Sequence, residues 1–290
     1  MNILITGADG LLGKNLVYSL SQEHKVYALV RNRHKISFDL NNNITVVEMD
    51  LLNLDIAQLP EDMDAIYYLA QSNRFRDFPN GANDMFQVNI HAPLKIVEWA
   101  RENAVKKFIY ASTGGVYSNP NKPVSEFFDI NVNKKQGFYP DSKLSAEILL
   151  KNYAEFFETF VIIRPFFMYG EGQNETMLIP RLINSVKNEL ELTISGKDGI
   201  KINPIHIDDA VQSVMKILEI SGEHIINIAG KDIVSLKELV QMISKIVNIN
   251  PLFKYNGAIQ HDLIADILVM KEILHVPKIS IEEGLRKVCR

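Results

Sequence analysis

The sequence predicts an α/β chain: a doubly wound parallel sheet followed by a smaller, less regular C-terminal part. Three observations predict it. Short β-rich runs alternate with longer segments of helical spacing through the first half, and glycines crowd the first strand-to-helix turn. After Pro165 that alternation gives way to segments broken by Gly170, Gly172, Gly196 and Gly199.

Taken in order, strands are expected at 2–6, 25–30, 45–49, 65–69, 107–111 and 159–163. Helices are expected at 12–20, 92–102 and 143–157, each spacing its apolar residues along one face. Strand and helix in regular turn make βαβ units, whose crossovers are right-handed. Beyond Pro165 the pattern gives helices at 177–187, 210–220 and 236–247 and a strand at 225–229. The expected division is therefore 1–165 and 166–290, with about 203–230 packing back on the first domain and the second part closing over a cleft.

Composition removes several classes of function. The chain has 290 residues, 31 basic and 35 acidic, and a net charge of −4, so the basic footprint of a nucleic-acid binder is missing. Apolar runs such as 160–163 stop far short of the ~20 residues that span a bilayer. The opening run Ile3-Leu4-Ile5 carries no basic leader, which argues against a secretory signal and for a cytoplasmic protein. The one cysteine, Cys289, reads as a tail residue, outside any disulfide framework or multi-cysteine metal site.

The first candidate site follows the first strand, where Gly7-Ala8-Asp9-Gly10-Leu11-Leu12-Gly13 runs into a helix. A turn without side chains lets backbone N–H groups approach a pyrophosphate, and the positive end of the next helix favours that anion. A Rossmann-type dinucleotide site at Gly7, Gly10, Leu11, Leu12 and Gly13 is the reading. NAD-binding relatives of this fold often end the second strand with an acidic residue on the ribose. Here the strand ends Leu29-Val30-Arg31-Asn32-Arg33, so NADP, with its 2′-phosphate matched to Arg31, is expected over NAD. Asp50, with Leu51 beside it, is placed for the adenine end of the cofactor, or is an ordinary loop-start aspartate.

The second candidate site joins Tyr139 and Lys143 in Tyr139-Pro140-Asp141-Ser142-Lys143 at the opening of a helix. Residues i and i+4 share a helix face, so phenol and ammonium address one place. A tyrosine ordinarily titrates near 10, and a neighbouring cation stabilises its phenolate. Upstream, a strand ends in Tyr110-Ala111-Ser112-Thr113-Gly114-Gly115-Val116-Tyr117, with hydroxyls at the edge where ligands of open α/β sheets bind.

With these pieces assembled, the chain resembles the extended short-chain dehydrogenases/reductases, the nucleotide-sugar epimerase and dehydratase family. The resemblance runs through the glycine turn, Tyr68-Leu69-Ala70-Gln71, Val88-Asn89, 112–117, Tyr139 with Lys143, Arg164-Pro165 through Tyr169-Gly170, 205–209, 226–230 and 279–285. It implies that Tyr139 is the general acid/base. It implies that Lys143 holds the nicotinamide ribose and lowers the tyrosine's pKa, and that Thr113 bonds the reacting oxygen, with Ser112 as the alternative register. Leu69, Ala70, Asn89 and Pro165 would line the cofactor. A homodimer through helices 92–102 and 143–157 is a further implication.

Departures narrow the chemistry. Gly114 and Gly115 stand where dehydratase members carry an Asp-Glu pair, so reduction or epimerisation is expected and dehydration is not. Phe167 replaces an asparagine and Ile202 an arginine at positions that contact the diphosphate in many relatives, leaving Arg74, Arg76, Lys201 or Arg181 to supply the charge. A nucleotide-activated sugar is the expected substrate. A non-nucleotide carbonyl substrate, or a dinucleotide sensor without turnover, stays open. His206-Ile207-Asp208-Asp209 is read as a helix start with Asp208 or Asp209 as N-cap, and no metal is expected.

Overall fold

The computed structural model describes residues 1–117, 122–258 and 260–289. Its elements in chain order are β1 Asn2–Thr6, α1 Leu11–Leu20, β2 Lys25–Val30, β3 Ile44–Glu48, β4 Ala65–Tyr68, α2 Ala82–Phe86, α3 Ala92–Glu102, β5 Lys107–Ala111, α4 Phe138–Leu150 and β6 Thr159–Pro165. There follow α5 Leu178–Lys187, β7 Glu191–Ser195, β8 Lys201–Ile202, α6 Ile207–Met215, β9 Gly222–Ile228, β10 Val234–Ser235, α7 Leu236–Val247, β11 Leu252–Asn256, α8 Leu268–Ile273 and α9 Ile281–Val288.

Seven strands form one sheet in the order β3-β2-β1-β4-β5-β6-β9. The pairs β3–β2, β2–β1, β1–β4, β4–β5 and β5–β6 are parallel. The order reverses between β1 and β4, so the C-terminal ends of those strands border the crevice where such sheets bind ligands. β4 and all but the last residue of β6 are buried, as expected of strands covered on both faces, and they read as continuous apolar runs.

The chain forms two compact units that interleave in sequence. One comprises Met1–Ser118, Ile130–Arg164 and Val214–Ile226; the other comprises Asn119–Asp129, Pro165–Ser213 and Asn227–Arg290. β9 belongs to the large sheet, which draws 214–226 into the first unit.

In the first unit, the core beneath α3 and α4 gathers Ile96, Val97, Phe108, Tyr110, Ala146 and Leu150. Helix α4 begins at Phe138, five residues before the predicted start, and its α-helical part ends at Leu150 with a 3-10 turn over Lys151–Phe156. Tyr139 and Lys143 thus fall on its first turns. A buried ion pair fixes that helix to the sheet. The Arg164 guanidinium at the end of β6 donates to Glu147 through Nε (3.1 Å) and Nη2 (2.6 Å), and through Nη1 to the Tyr117 hydroxyl at 2.8 Å. Both charged side chains are nearly without solvent access, at 3% and 1%. Burial alone would lower the arginine pKa; the hydrogen bonds and charge of Glu147 outweigh it and raise it.

In the second unit, α5, α7 and α9 pack Leu182, Ile183, Leu239, Val240, Ile243 and Leu285 around Tyr169. Cys289 is buried in this cluster at 6% exposure, so it is an apolar core residue and not a loose tail. Helix α6 starts at Ile207, which puts Asp208 and Asp209 in its first turn instead of at the cap. The Nδ1 of His206 accepts from the Asp208 N–H at 3.2 Å. Asp209 accepts the N–H groups of Lys278 and Ile279, at 3.0 and 2.8 Å through Oδ2, and it also bonds His275.

Removing one partner of the Arg164–Glu147 pair strands the other charge in the core. Glu147→Gln is expected to lower unfolding free energy by about 3–5 kcal/mol, read from the urea midpoint at constant m-value.

Candidate active site

The glycine turn is set by close approach. Gly7 has φ +65°, and a Cβ there would sit 2.9 Å from the Ala70 main chain. At Gly13 a Cβ would meet the Gly7 carbonyl oxygen at 2.1 Å. Only hydrogen fits at either place. The turn is closed by Gly10 N–H on the Gly7 carbonyl at 3.0 Å, and Gly10 caps α1 without a side chain. The first-turn amides of a ten-residue helix therefore lack a side-chain acceptor, the condition under which a helix end accepts a phosphate. Leu12 is buried under the turn and Leu11 is half-buried. These features fit a dinucleotide pyrophosphate.

At the end of β2, Arg31 is exposed. Arg33 is turned away to Glu48 (Nε to Oε2 3.4 Å) and to the Val46 carbonyl at 3.4 Å. Glu48 pairs in register with Val30 on the neighbouring strand. An acidic side chain thus stands beside the end of β2 after all, supplied by β3. Sequence reasoning looked for it only on β2 itself. Asp50 caps a short 3-10 turn by accepting from Leu52 N at 3.0 Å, and Leu51 is buried behind it.

Lys143 is 1% exposed and donates to the carbonyls of Ala111 at 2.9 Å and Ala70 at 3.3 Å. Its Nζ also lies 4.9 Å from the centroid of the Tyr110 ring. Leu69 and Ala70 thus belong to the segment that both presses on Gly7 and holds Lys143. Burial pulls the lysine down to about 7, opposed in part by Glu147 one turn along the helix.

Tyr139 has two polar partners. Its hydroxyl donates to Gln71 Oε1 at 2.8 Å, and Thr113 hydrogen-bonds it as well. Burial pushes the phenol up to about 12, with the Thr113 bond acting in the opposite sense. Lys143 is expected to acidify Tyr139, but as placed here it spends its protons on two carbonyls and titrates near neutrality. Thr113 accepts from Gly115 N–H at 3.1 Å. The neighbouring Ser112 hydroxyl is buried and, among the described residues, has no hydrogen-bond partner. Of the two hydroxyls, Thr113 is the one that reaches Tyr139.

Asn89 has work inside the protein. Fully buried in a turn of π-helix over Gln87–His91, it accepts from Ser72 N at 3.1 Å and donates to Ser142 Oγ at 3.0 Å. Ser142 in turn donates to the Tyr139 carbonyl at 2.7 Å. Its side chain is a cross-brace between the segment after β4 and the start of α4, where a cofactor contact was expected. Arg74 is engaged as well, its Nε on Asp77 at 3.0 Å and Nη1 on Asp84 at 3.4 Å. In the other unit, Pro165 closes β6 and is part-exposed, and Phe167 adopts φ +43°, a conformation asparagine tolerates better. Among the described residues no group of three or more His, Cys, Asp or Glu could hold a metal ion, and no helix is long and apolar enough to cross a membrane.

A glycine cradle, a buried lysine and a tyrosine joined to a strand-end threonine occur together in one unit. A family model, the NAD dependent epimerase/dehydratase family, matches residues 3–229. The chain belongs to this family. It is 29% identical over 306 residues to a Bacillus subtilis protein described as an uncharacterized UDP-glucose epimerase, covering 98% of this chain and 96% of the relative. A UDP-glucuronate 4-epimerase of Thermodesulfobacterium geofontis is 26% identical, with 98% and 94% covered. Among solved structures, a UDP-glucuronic acid 4-epimerase from Bacillus cereus in complex with NAD superposes with a TM-score of 0.86 at 27% identity, covering 100% of this chain and 96% of that one. The chain is thus an enzyme of the extended short-chain dehydrogenase/reductase type.

Lys143 also predicts a pH dependence of stability. Its folded value near 7 lies below the usual 10.5, so between these limits the unfolded chain binds a proton that the folded chain lacks. Stability therefore rises with pH across that window and levels off at its lower value once pH drops below about 7, where both states carry the proton. Lys143→Met is expected to flatten that slope, by on the order of a few kcal/mol across the window, in denaturant melts at pH 7 and 9.5.

Proposed function

We propose that this chain inverts a secondary alcohol of a nucleotide-activated sugar, a 4-epimerisation with NAD as bound cofactor, and that Tyr139 is its acid/base. The observation that carries the reading is the hydrogen-bonded set Thr113–Tyr139 beside the buried Lys143, with glycine at 114 and 115. Relatives matching over nearly the full length support the substrate class, being described as UDP-sugar epimerases.

NAD, cradled by Gly7, Gly10 and Gly13 with Leu69 and Ala70 alongside, supplies the hydride acceptor and donor. Tyr139 removes the proton of the sugar hydroxyl and returns it to the same oxygen. One proton site suffices for inversion at one carbon, whereas loss of water needs a further acid and base. Gly114 and Gly115 carry neither. Thr113 gives its one hydroxyl proton to Tyr139, and its oxygen would meet the sugar hydroxyl as an acceptor. Lys143 fixes the segments at Ala70 and Ala111 and, with dinucleotide bound, would hold the nicotinamide ribose.

Two observations support NAD over NADP. The Arg33 guanidinium is held by Glu48, and the carboxylate beside Val30 suits ribose hydroxyls and repels a 2′-phosphate. The Bacillus cereus structure at 27% identity holds NAD. A homodimer fits the exposed apolar residues Ile148 and Leu149 of α4 and Phe156 after it.

Tyr139→Phe is expected to lower kcat at least 10³-fold while NAD still binds; turnover within tenfold of the wild type removes Tyr139 from the mechanism. In thermal-shift titrations, NAD is expected to raise Tm more than equal NADP, with a further rise on adding UDP. A larger shift with NADP reverses the cofactor assignment.

A further inference from the structure

The hydroxyl that carries the reaction's proton already makes a hydrogen bond that the functional reading does not use. Tyr139 Oη donates to Gln71 Oε1 at 2.8 Å. The direction of the surrounding bonds is fixed. Gly115 N–H donates to Thr113 Oγ1. The threonine proton then goes to Tyr139, which is the sense in which Thr113 favours the phenolate. With Thr113 donating into the phenol oxygen, the single phenol proton is left for Gln71. The result is a directed chain, Gly115 to Thr113 to Tyr139 to Gln71, ending on an amide that still has two N–H donors.

Gln71 is held in place from both sides. Its predecessor Ala70 lies against Gly7 and takes a bond from Lys143. Its successor Ser72 is tied through Asn89 and Ser142 to the main chain of Tyr139 itself. Farther along, Phe75 sets its ring 5.3 Å from that of Tyr139. The segment after β4 is thus built around the phenol, while the Gln71 side chain remains exposed and able to turn.

An acceptor oxygen is the right partner for a phenol and the wrong one for a phenolate, since a carbonyl dipole repels the anion. An amide has both ends. Building on the role proposed for Tyr139, we propose that Gln71 is a further catalytic residue at its proton site. It accepts from the phenol in the resting form and, turned end for end, donates Nε2–H to the phenolate once the proton has left. No bond other than hydrogen bonds changes at Gln71; the proton moves between Tyr139 Oη and the sugar oxygen, or solvent. Because a bond to the ionised oxygen is roughly twice as strong as one between neutral groups, the net effect of Gln71 is to favour the phenolate.

The test uses the NAD-loaded enzyme, as wild type, Gln71→Leu and Gln71→Glu. Two quantities are followed against pH: kcat/KM for the UDP-sugar, and the ¹³Cζ resonance of Tyr139, assigned by its loss in Tyr139→Phe. Gln71→Leu is expected to move the acid limb of kcat/KM upward by about one pH unit, a roughly tenfold loss at pH below the limb, with the resonance moving alike. Gln71→Glu, which accepts but cannot donate, is expected to move both farther in the same direction. A limb that stays in place or moves down in Gln71→Leu overturns the proposal. So does a fall in kcat with limb and resonance unmoved, the mark of a packing role. If Tyr139→Phe keeps its turnover, the acid/base reading fails separately, and the ¹³Cζ titration still decides whether Gln71 favours the phenolate.

Discussion

The buried pair of Arg164 with Glu147 is the constraint on which the site depends. Glu147 lies one turn beyond Lys143 on α4, and Arg164 stands one residue before the end of β6, so the pair fixes both the height and the rotation of the helix that carries Tyr139. A fork-shaped guanidinium on a carboxylate allows little slippage, which a purely apolar contact would permit. The same carboxylate acts on the buried lysine, opposing the effect of its burial. Burial outweighs that charge and draws Lys143 down to about 7, and a neutral amine can still donate to the carbonyls of Ala70 and Ala111.

Two backbone approaches complete the frame. The β1–α1 turn can lie against Ala70 only because residues 7 and 13 have no side chains. That contact aligns the segment after β4, the segment whose carbonyl receives Lys143 and whose next residue meets the Tyr139 hydroxyl. The glycine turn and the proton site proposed at Tyr139 are therefore one mechanical object. Asn89 belongs to it as a brace, which explains why a buried asparagine sits in a π-helical turn with both ends of its amide bonded.

Much of this was legible in the sequence. Strands 2–6, 25–30 and 107–111 were placed to the residue, because continuous apolar runs between turn residues leave little freedom. The Tyr139–Lys143 spacing fixed their common helix face. Other readings went astray where the deciding partner is distant in sequence. The carboxylate of Glu48 beside the end of β2 was not legible, because only the parallel pairing of β2 with β3 sets it opposite Val30 and on Arg33. Asp209 looked like a cap, but it bonds Lys278 and Ile279, about seventy residues on.

By itself the sequence determined the alternation that builds a parallel sheet, the glycine turn, and the tyrosine and lysine on one helix face, since all of these rest on local spacing. Tertiary structure alone decided which hydroxyl of the Ser112–Thr113 pair meets the tyrosine, that Lys143 is buried deeply enough to lose its proton near neutrality, and that Gln71 touches the phenol. The physical reason is common to all three. Hydrogen-bond partners and desolvation are set by what other strands and helices bring within about 3 Å, and no local pattern in the chain encodes that.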